Sequence, residues 1–240
     1  MGRLWKTTLV LATLAVGTLQ ATELSTHVSN FITFKSKSGQ SEALASFLTK
    51  GADMIKQSEP NTLLWTALKK DDNFVIFDTF HDEKGRAEHF AGKVAAALKE
   101  GSPHMVEGGW DNGIMQSLNA AKVIVAKVSK KPNSEIKKLV FVRIKAQAGK
   151  EAELAELLVA CGKFIKFTEP QTRHSYALQF SENEFGILNF FTDKSGIKAH
   201  AAGPIVAALK MNGSALIEGG FKEGLKKNIK VYDVLNLITH

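Results

Sequence analysis

The sequence of 240 residues predicts an α+β fold made of two tandem β-α-β-β-α-β units. The chain repeats itself at an offset of about 110 residues, and each copy shows the same order of strand-like and helix-like patterns. Hydrophobic residues make up 44% of the chain and charged residues 23%, which is ordinary for a globular protein. That balance excludes a disordered or low-complexity chain.

The repeat is clearest at a helix end and in the segment that follows it. Glu59-Pro60-Asn61-Thr62 returns as Glu169-Pro170-Gln171-Thr172. Residues 74–110 align with residues 185–221, and 15 of these 37 pairs are identical. The two alignments differ by one residue, and the slip falls in a polar turn, where loops tolerate insertion. Identity at this level indicates duplication of one unit.

Each copy begins with a short run of β-branched and aromatic residues, as a strand requires. An amphipathic helix follows, with Leu44, Leu48 and Ile55 on one face, and it ends before Pro60 because the residue preceding proline disfavours helical geometry. A hairpin and a second helix come next, the helix starting near Glu83 and, in the second copy, near Lys194. The predicted strands are residues 31–34, 62–68, 74–80 and 122–128, then 139–144, 172–180, 185–191 and 230–238.

This order is that of the ferredoxin-like split unit, in which helices cover one face of a four-stranded sheet. The other face must be buried, and the second copy supplies the cover. The two sheets either pack face to face or close into one barrel. We assign residues 27–128 and 137–240 to the two domains and residues 129–136 to a linker.

The first 21 residues are typical of a signal peptide. Arg3 and Lys6 precede an apolar stretch of 13 residues, and small residues follow it. The stretch is shorter than the ~20 residues that a membrane-spanning helix needs. We therefore expect a periplasmic or secreted protein with no stable membrane insertion after cleavage. The alternative is an uncleaved anchor.

Charge and motifs restrict the partners. The formal net charge of +7 would fall to +5 with loss of the leader, and the lysines are scattered, so no nucleic-acid partner is predicted. The single cysteine excludes a disulfide framework or a multi-cysteine metal site. No nucleotide, flavin or covalent-haem motif is present, so we predict neither cofactor nor metal.

Three short motifs resemble a known family. They are Glu59-Pro60-x-Thr62, Phe80-x-Asp82 and Ala87-x-His89, with second copies at residues 169–172, 191–193 and 199–204. They are similar to the antibiotic biosynthesis monooxygenase-like (ABM) domains of the dimeric α/β-barrel superfamily. That family usually pairs two chains. The resemblance implies that the two units form an intramolecular α/β barrel, so that the monomer acts as a pseudo-dimer, with higher oligomers left open. It also implies a pocket in each half for a small apolar or aromatic ligand.

His89 and His200 are the candidate catalytic residues, because both stand at the same aligned place early in the second helix. A neutral histidine exchanges protons near pH 7, and cofactor-free oxygenation needs a base to form a substrate carbanion. The alternative is a structural histidine at the helix start.

Trp65 and Trp110 are candidate substrate-binding residues, since tryptophan lines apolar pockets and offers an N–H group. Their counterparts are Ser175 and Phe221, so the halves differ chemically. One hypothesis is that the first copy holds the working pocket and the second is a scaffold; ordinary core packing is the alternative. Further substrate-binding candidates are Phe80, Phe191 and Tyr176.

Together these features predict an exported, cofactor-independent monooxygenase of a small aromatic or polyketide-like compound, with histidine as base. Two alternatives stay open. One is a periplasmic protein that binds a small ligand without catalysis, and the other is a haem-binding or haem-degrading relative.

Overall fold

A computed structural model describes residues 26–240, and the predicted signal peptide lies outside them. No helix in this part of the chain combines the length and apolar character needed to span a bilayer. The strands are β1 (Val28–Lys35), β2 (Thr62–Lys70), β3 (Asn73–Phe80), β4 (Leu118–Lys127), β5 (Lys138–Lys145), β6 (His174–Gln179), β7 (Glu184–Phe191) and β8 (Ile229–Thr239). The α-helices are α1 (Ser41–Ser58), α2 (Glu83–Phe90), α3 (Lys93–Met105), α4 (Glu151–Thr168), α5 (Lys194–Ala201) and α6 (Pro204–Leu216).

The eight strands of the described residues form one closed antiparallel barrel in the order β1-β3-β2-β8-β5-β7-β6-β4. The last strand of each unit closes it. Strand β4 pairs with β1 of its own unit and with β6 of the other, and β8 pairs with β5 and β2. Each unit therefore completes the sheet of its partner. The predicted α+β fold is confirmed, and so is the intramolecular barrel that the family resemblance implies.

Side chains on each strand alternate between the barrel interior and the helices. Phe31 and Phe141 stack inside the barrel with ring centroids 4.2 Å apart, and Phe77 and Phe190 extend the same cluster. Two further apolar clusters lie outside the barrel, one under the helices of each unit. The interior is thus a packed core, and the helix-covered faces are separate compartments.

Where the sequence predicts one second helix, each unit has two. The break in the first unit is at Gly92, whose backbone is extended. A Cβ atom there would lie 2.5 Å from Glu59 Oε1, and one at Gly203 would lie 2.6 Å from Glu169 Oε1. The repeated glycine is required because a buried carboxylate approaches the backbone at the break. At this break the end of α1 lies next to His89, and in the second unit the end of α4 lies next to His200.

A short turn of π-helix follows in each unit, at Gly109–Ile114 and Gly220–Leu225. The residues before these turns, Gly108 and Gly219, have φ of 74° and 73°, a left-handed conformation that glycine adopts without strain. This explains the repeated Gly-Gly pair. The turns lie against α3 and α6 and present Trp110 and Phe221 at the helix-covered faces.

His174 fastens the segment that joins the two units. The Ser129 backbone N–H donates to His174 Nδ1 at 3.1 Å, so Nε2 carries the proton and donates to Asn133 Oδ1 at 2.9 Å. Burial lowers the pKa of His174 to about 4, and the nearby charges of Arg173 and Lys127 add to this effect. The neutral imidazole of His174 therefore holds the connecting segment to β6 through two hydrogen bonds.

Candidate functional site

A largely apolar cavity of about 420 Å³ lies between the sheet and the helices of the second unit. Its volume is within the range of small-molecule sites. Val125 of β4 contributes to the wall, and α4 packs so tightly on this strand that a Cβ at Gly162 would lie 2.5 Å from Val125 Cγ1. The cavity is thus built by both halves of the chain. Other apolar residues in its wall include Val140, Val142, Leu158, Ile187, Ile205, Leu209 and Phe221.

Ser175, Asn189 and His200 bring polar groups to this wall. Ser175 and Asn189 lie directly opposite each other on β6 and β7. Asn189 Nδ2 is 3.2 Å from His200 Nε2, while Asn189 Oδ1 is buried and has no hydrogen-bond partner in the described part of the chain. An unpaired buried acceptor is costly, so Asn189 is a residue of the cavity wall with an unused capacity to accept a hydrogen bond.

Glu169 orients the imidazole of His200. Its Oε2 is 2.5 Å from His200 Nδ1, and its Oε1 is 3.4 Å from the backbone N of Ile205 at the start of α6. The carboxylate is stabilised by the helix N-terminus and accepts a hydrogen bond from Nδ1–H. Nε2 then has the free lone pair, which accepts a hydrogen bond from the Asn189 amide. Because His200 belongs to the cavity wall, an imidazole in this tautomer could accept a proton there through Nε2.

Sequence reasoning assigned Glu59 and Glu169 only to the ends of helices. Both are buried, and each is the hydrogen-bond partner of a histidine about 30 residues later in the chain. The available signal was that the two glutamates and the two histidines repeat together. Asn189 was missed because it is a lone amide on a strand, and nothing local marks it.

The first unit contains the same Glu–His pair, and the carboxyl group of Asp78 lies next to the other ring nitrogen of the histidine. His89 Nδ1 is 2.6 Å from Glu59 Oε2, His89 Nε2 is 3.5 Å from Asp78 Oδ2, and Asn30 Nδ2 donates to Asp78 Oδ1 at 2.7 Å. Burial raises the pKa of Asp78 to about 6 against the opposing charge of His89. Burial alone would lower the pKa of His89, but the hydrogen bond to Glu59 and the Asp78 carboxylate raise it. The cluster is a buried acid–imidazole–acid network.

Trp65 occupies the space in the first unit that is open in the second. It is 1% exposed, belongs to the cluster under the helices, and its Cη2 lies 3.9 Å from the position of a Cβ at Gly51 on α1. The counterparts in the second unit are Ser175 and Cys161, both in the cavity wall. Trp65 next to Gly51 fills the space under the helices of the first unit. Ser175 and Cys161, which have small side chains, leave the equivalent space of the second unit open.

His89, Trp65 and Trp110 do not line a common cavity in the described part of the chain. His89 lines a separate cleft of about 200 Å³ together with Glu59, and neither tryptophan belongs to its wall. Trp110 is half-buried and packs on the apolar cluster of the first unit. The hypothesis of a working pocket in the first copy is therefore abandoned, because the apolar cavity lies in the second.

Phe80 and Phe191 are fully buried beside the histidines, with ring centroids 5.5 Å and 5.6 Å from those of His89 and His200. Phe191 lies outside the cavity wall. Tyr176 is part of that wall, while its ring packs edge-on against Phe77 in the barrel core at 5.3 Å, and burial raises the pKa of its hydroxyl. A direct role of these three side chains in binding stays a prediction.

Metal and thiol chemistry find little support in the described residues. Within residues 26–240 there is no group of three or more His, Cys, Asp or Glu side chains that could hold a metal ion. Cys161 lies in the cavity wall, but burial raises its thiol pKa to about 11, so it is not a thiolate at neutral pH.

The fold and the site define a class: two ferredoxin-like units joined in one chain as an α/β barrel, with a pocket under the helices. Solved structures of this architecture match nearly the whole chain. A candidate monooxygenase from Fusobacterium nucleatum is 17% identical with a TM-score of 0.72, over 90% of this chain and 95% of that one. A second, from Lactobacillus acidophilus, is 11% identical with a TM-score of 0.70, over 89% and 96%.

An anthrone oxidase-like protein is 13% identical with a TM-score of 0.56, over 90% of this chain and 94% of that one. At these identities the likeness is one of fold, and it confirms the fold that the ABM resemblance implies. No family model matches the sequence. No curated protein matches it either.

Proposed function

We propose that the second unit binds a small apolar or aromatic molecule and oxidises it with molecular oxygen, without a cofactor, using His200 as the base. One observation carries the proposal: His200 and Asn189, whose side chains contact each other and whose Oδ1 (Asn189) is buried without a partner in the described chain, both belong to the wall of one apolar cavity. The fold likeness to structures described as monooxygenases is in keeping with this reaction class.

Binding would draw on two physical effects. The apolar wall removes ligand surface from water, which stabilises the complex by roughly 25 cal/mol per Å². Asn189 Oδ1 selects a ligand that carries a hydroxyl, because a satisfied buried acceptor avoids a penalty of about 1–3 kcal/mol. A phenolic compound meets both requirements.

In the reaction, the ligand displaces the Asn189 amide as the partner of Nε2. His200 takes a proton from an activated CH₂ group, and Glu169 stabilises the imidazolium through Nδ1–H. The carbanion transfers electrons to oxygen; the CH₂ carbon becomes a carbonyl, and the second oxygen atom leaves as water. The substrate supplies every electron, so no redox cofactor takes part.

The test is oxygen uptake with a panel of anthrone-type phenols, which carry the activated CH₂ group that the reaction requires. His200→Gln should lower kcat by about 10²–10⁴-fold, the usual contribution of a positioned base. His89→Gln is the matched control, because it alters the same pair in the half that Trp65 fills. Equal turnover by His200→Gln and the wild type would remove His200 as the base.

A second candidate is a binding protein without catalysis. The observation in its favour is that the Glu–His pair is also present in the first unit, where no ligand contacts it in this scheme. The Glu–His pair therefore has a structural role that does not depend on catalysis. A panel compound that binds to the cavity but causes no oxygen uptake would support this candidate over the first.

Haem binding and export have separate tests. Both ring nitrogens of His200 and of His89 have polar partners, one of which haem iron would have to displace. We expect no Soret band after addition of haem, and its appearance would favour the haem-related alternative. For export, the N-terminal sequence of the protein recovered from a periplasmic extract should begin after the leader.

A further inference from the structure

The cavity wall carries positive charge and no negative charge. Lys210 on α6 and Lys226 in the short turn before β8 are both part of the wall, which contains no Asp or Glu. Both lysines are exposed, so they belong to its solvent side. The adjacent Lys227 pairs with Glu223, whereas neither Lys210 nor Lys226 is in an ion pair within the described chain. Two free cations therefore stand at the entrance.

This charge is partly specific to the half that has the cavity. The turn before β8 reads Lys226-Lys227-Asn228, and the equivalent turn of the first unit reads Met115-Gln116-Ser117. Lys210 has a lysine counterpart, Lys99. The second unit thus adds a cation at the place where the filled unit has methionine.

Exposed apolar residues flank the two lysines. Ile229 and Val231 are 42% and 39% exposed, and both belong to the cavity wall. They pair across the sheet with Val142 and Val140, which lie in the same wall. The entrance therefore combines an apolar edge with a cationic rim.

We propose that the cavity takes an amphipathic anion, with its aromatic or aliphatic body inside and a carboxylate held at the mouth by Lys210 and Lys226. The inference rests on the proposed function and names its substrate class. An apolar body alone would explain the wall, but it leaves the one-sided charge without a use. A carboxylate at the rim keeps its contact with water while it pairs with both ammonium groups, which avoids the cost of burying charge.

The test compares two fluorescent probes that share an apolar body. 1-Anilinonaphthalene-8-sulfonate is an anion, and N-phenyl-1-naphthylamine is its neutral analogue. With the full chain at low ionic strength, we expect the anion to bind about tenfold more tightly, and the difference to shrink at high salt. Lys210→Ala/Lys226→Ala should abolish the difference and leave the affinity for the neutral probe unchanged. Lys99→Ala, the equivalent change in the first unit, should have no effect.

A filling variant ties the signal to the cavity. Ser175→Trp/Cys161→Gly copies the Trp65–Gly51 pair of the first unit into the second, and it should reduce binding of both probes. Circular dichroism and thermal unfolding establish that the variant is folded. If it is not, Ser175→Leu tests the same point with a smaller side chain.

The outcomes separate the two proposals. Equal affinity for both probes, with no effect of the lysine variant, overturns the anionic substrate class and leaves the cavity as a ligand site. Absence of binding by either probe, or binding that survives filling of the cavity, contradicts the ligand site itself and with it the proposed function.

Discussion

Trp65 on β2 and Ser175 on β6 occupy equivalent places in the two units. Trp65 lies opposite Asp78 and Ser175 opposite Asn189, and each opposing residue contacts the histidine of its own unit. An indole at this place fills the space under the helices, and a hydroxymethyl group leaves it open. The two halves share one backbone plan, and side-chain volume separates their uses.

Removal of the indole should open the first unit. Trp65→Ser is expected to lower the free energy of unfolding by about 3–5 kcal/mol, the cost of deleting a large buried aromatic side chain. Urea unfolding measures this loss. Added indole should recover part of it, because a ligand that binds only the folded state raises stability. Trp110→Ser is the control: its ring is half-buried, so a smaller loss is expected.

Glu169 should act through His200. Glu169→Gln removes the carboxylate that holds Nδ1–H, so we expect kcat to fall with little change in KM. Steady-state oxygen uptake provides both constants. Glu59→Gln alters the equivalent pair of the filled unit and should leave both constants near wild type. A rise in KM alone would show that Glu169 shapes the cavity and does not orient the base.

Asp78 should make stability depend on pH. Its folded pKa of about 6 is above the usual ~3.9, so its stabilising contribution is present at pH 4 and lost as the pH rises through 6. Asp78→Asn removes this effect and copies Asn189. Relative to wild type, we expect the variant to gain about 2–3 kcal/mol between pH 4 and pH 8, at ~1.4 kcal/mol per pKa unit. Urea unfolding at both values measures the gain, and a constant difference between the two proteins contradicts it.

His174 should work in the opposite direction. Its folded pKa of about 4 is below the usual ~6.5, so the stability it contributes is present above pH 6.5 and lost as the pH falls toward 4. Between pH 7 and pH 4.5, the free energy of unfolding of His174→Gln should fall less than that of the wild type, by a few kcal/mol. His81→Gln, at an exposed histidine, should behave as wild type. Parallel curves for the wild type and His174→Gln would contradict the prediction.

The fold was predictable because the repeat is a local signal. Each unit has the same order of patterns, and one exposed sheet face per unit requires a second unit to cover it. The family resemblance implied the barrel, but the order of the elements alone does not determine the choice between stacked sheets and a closed barrel. That choice depends on the pairing of β4 with β6 and of β8 with β2, which joins edges distant in sequence.

The candidate site divides in the same way. The sequence alone determined the two histidines at matched places, the repeated glutamates and the unequal pair Trp65 and Ser175. These follow from aligning the two copies, which requires only the order of the residues along the chain. Tertiary structure decided which half has a cavity. Both faces of β2 are largely apolar, so the alternation of side chains does not reveal which way the indole of Trp65 points. Only the tertiary packing shows that the indole lies under α1, in the space whose equivalent next to β6 is open. The buried partnership of Glu169, His200 and Asn189 exists only because the barrel brings the end of α4, β7 and α5 together.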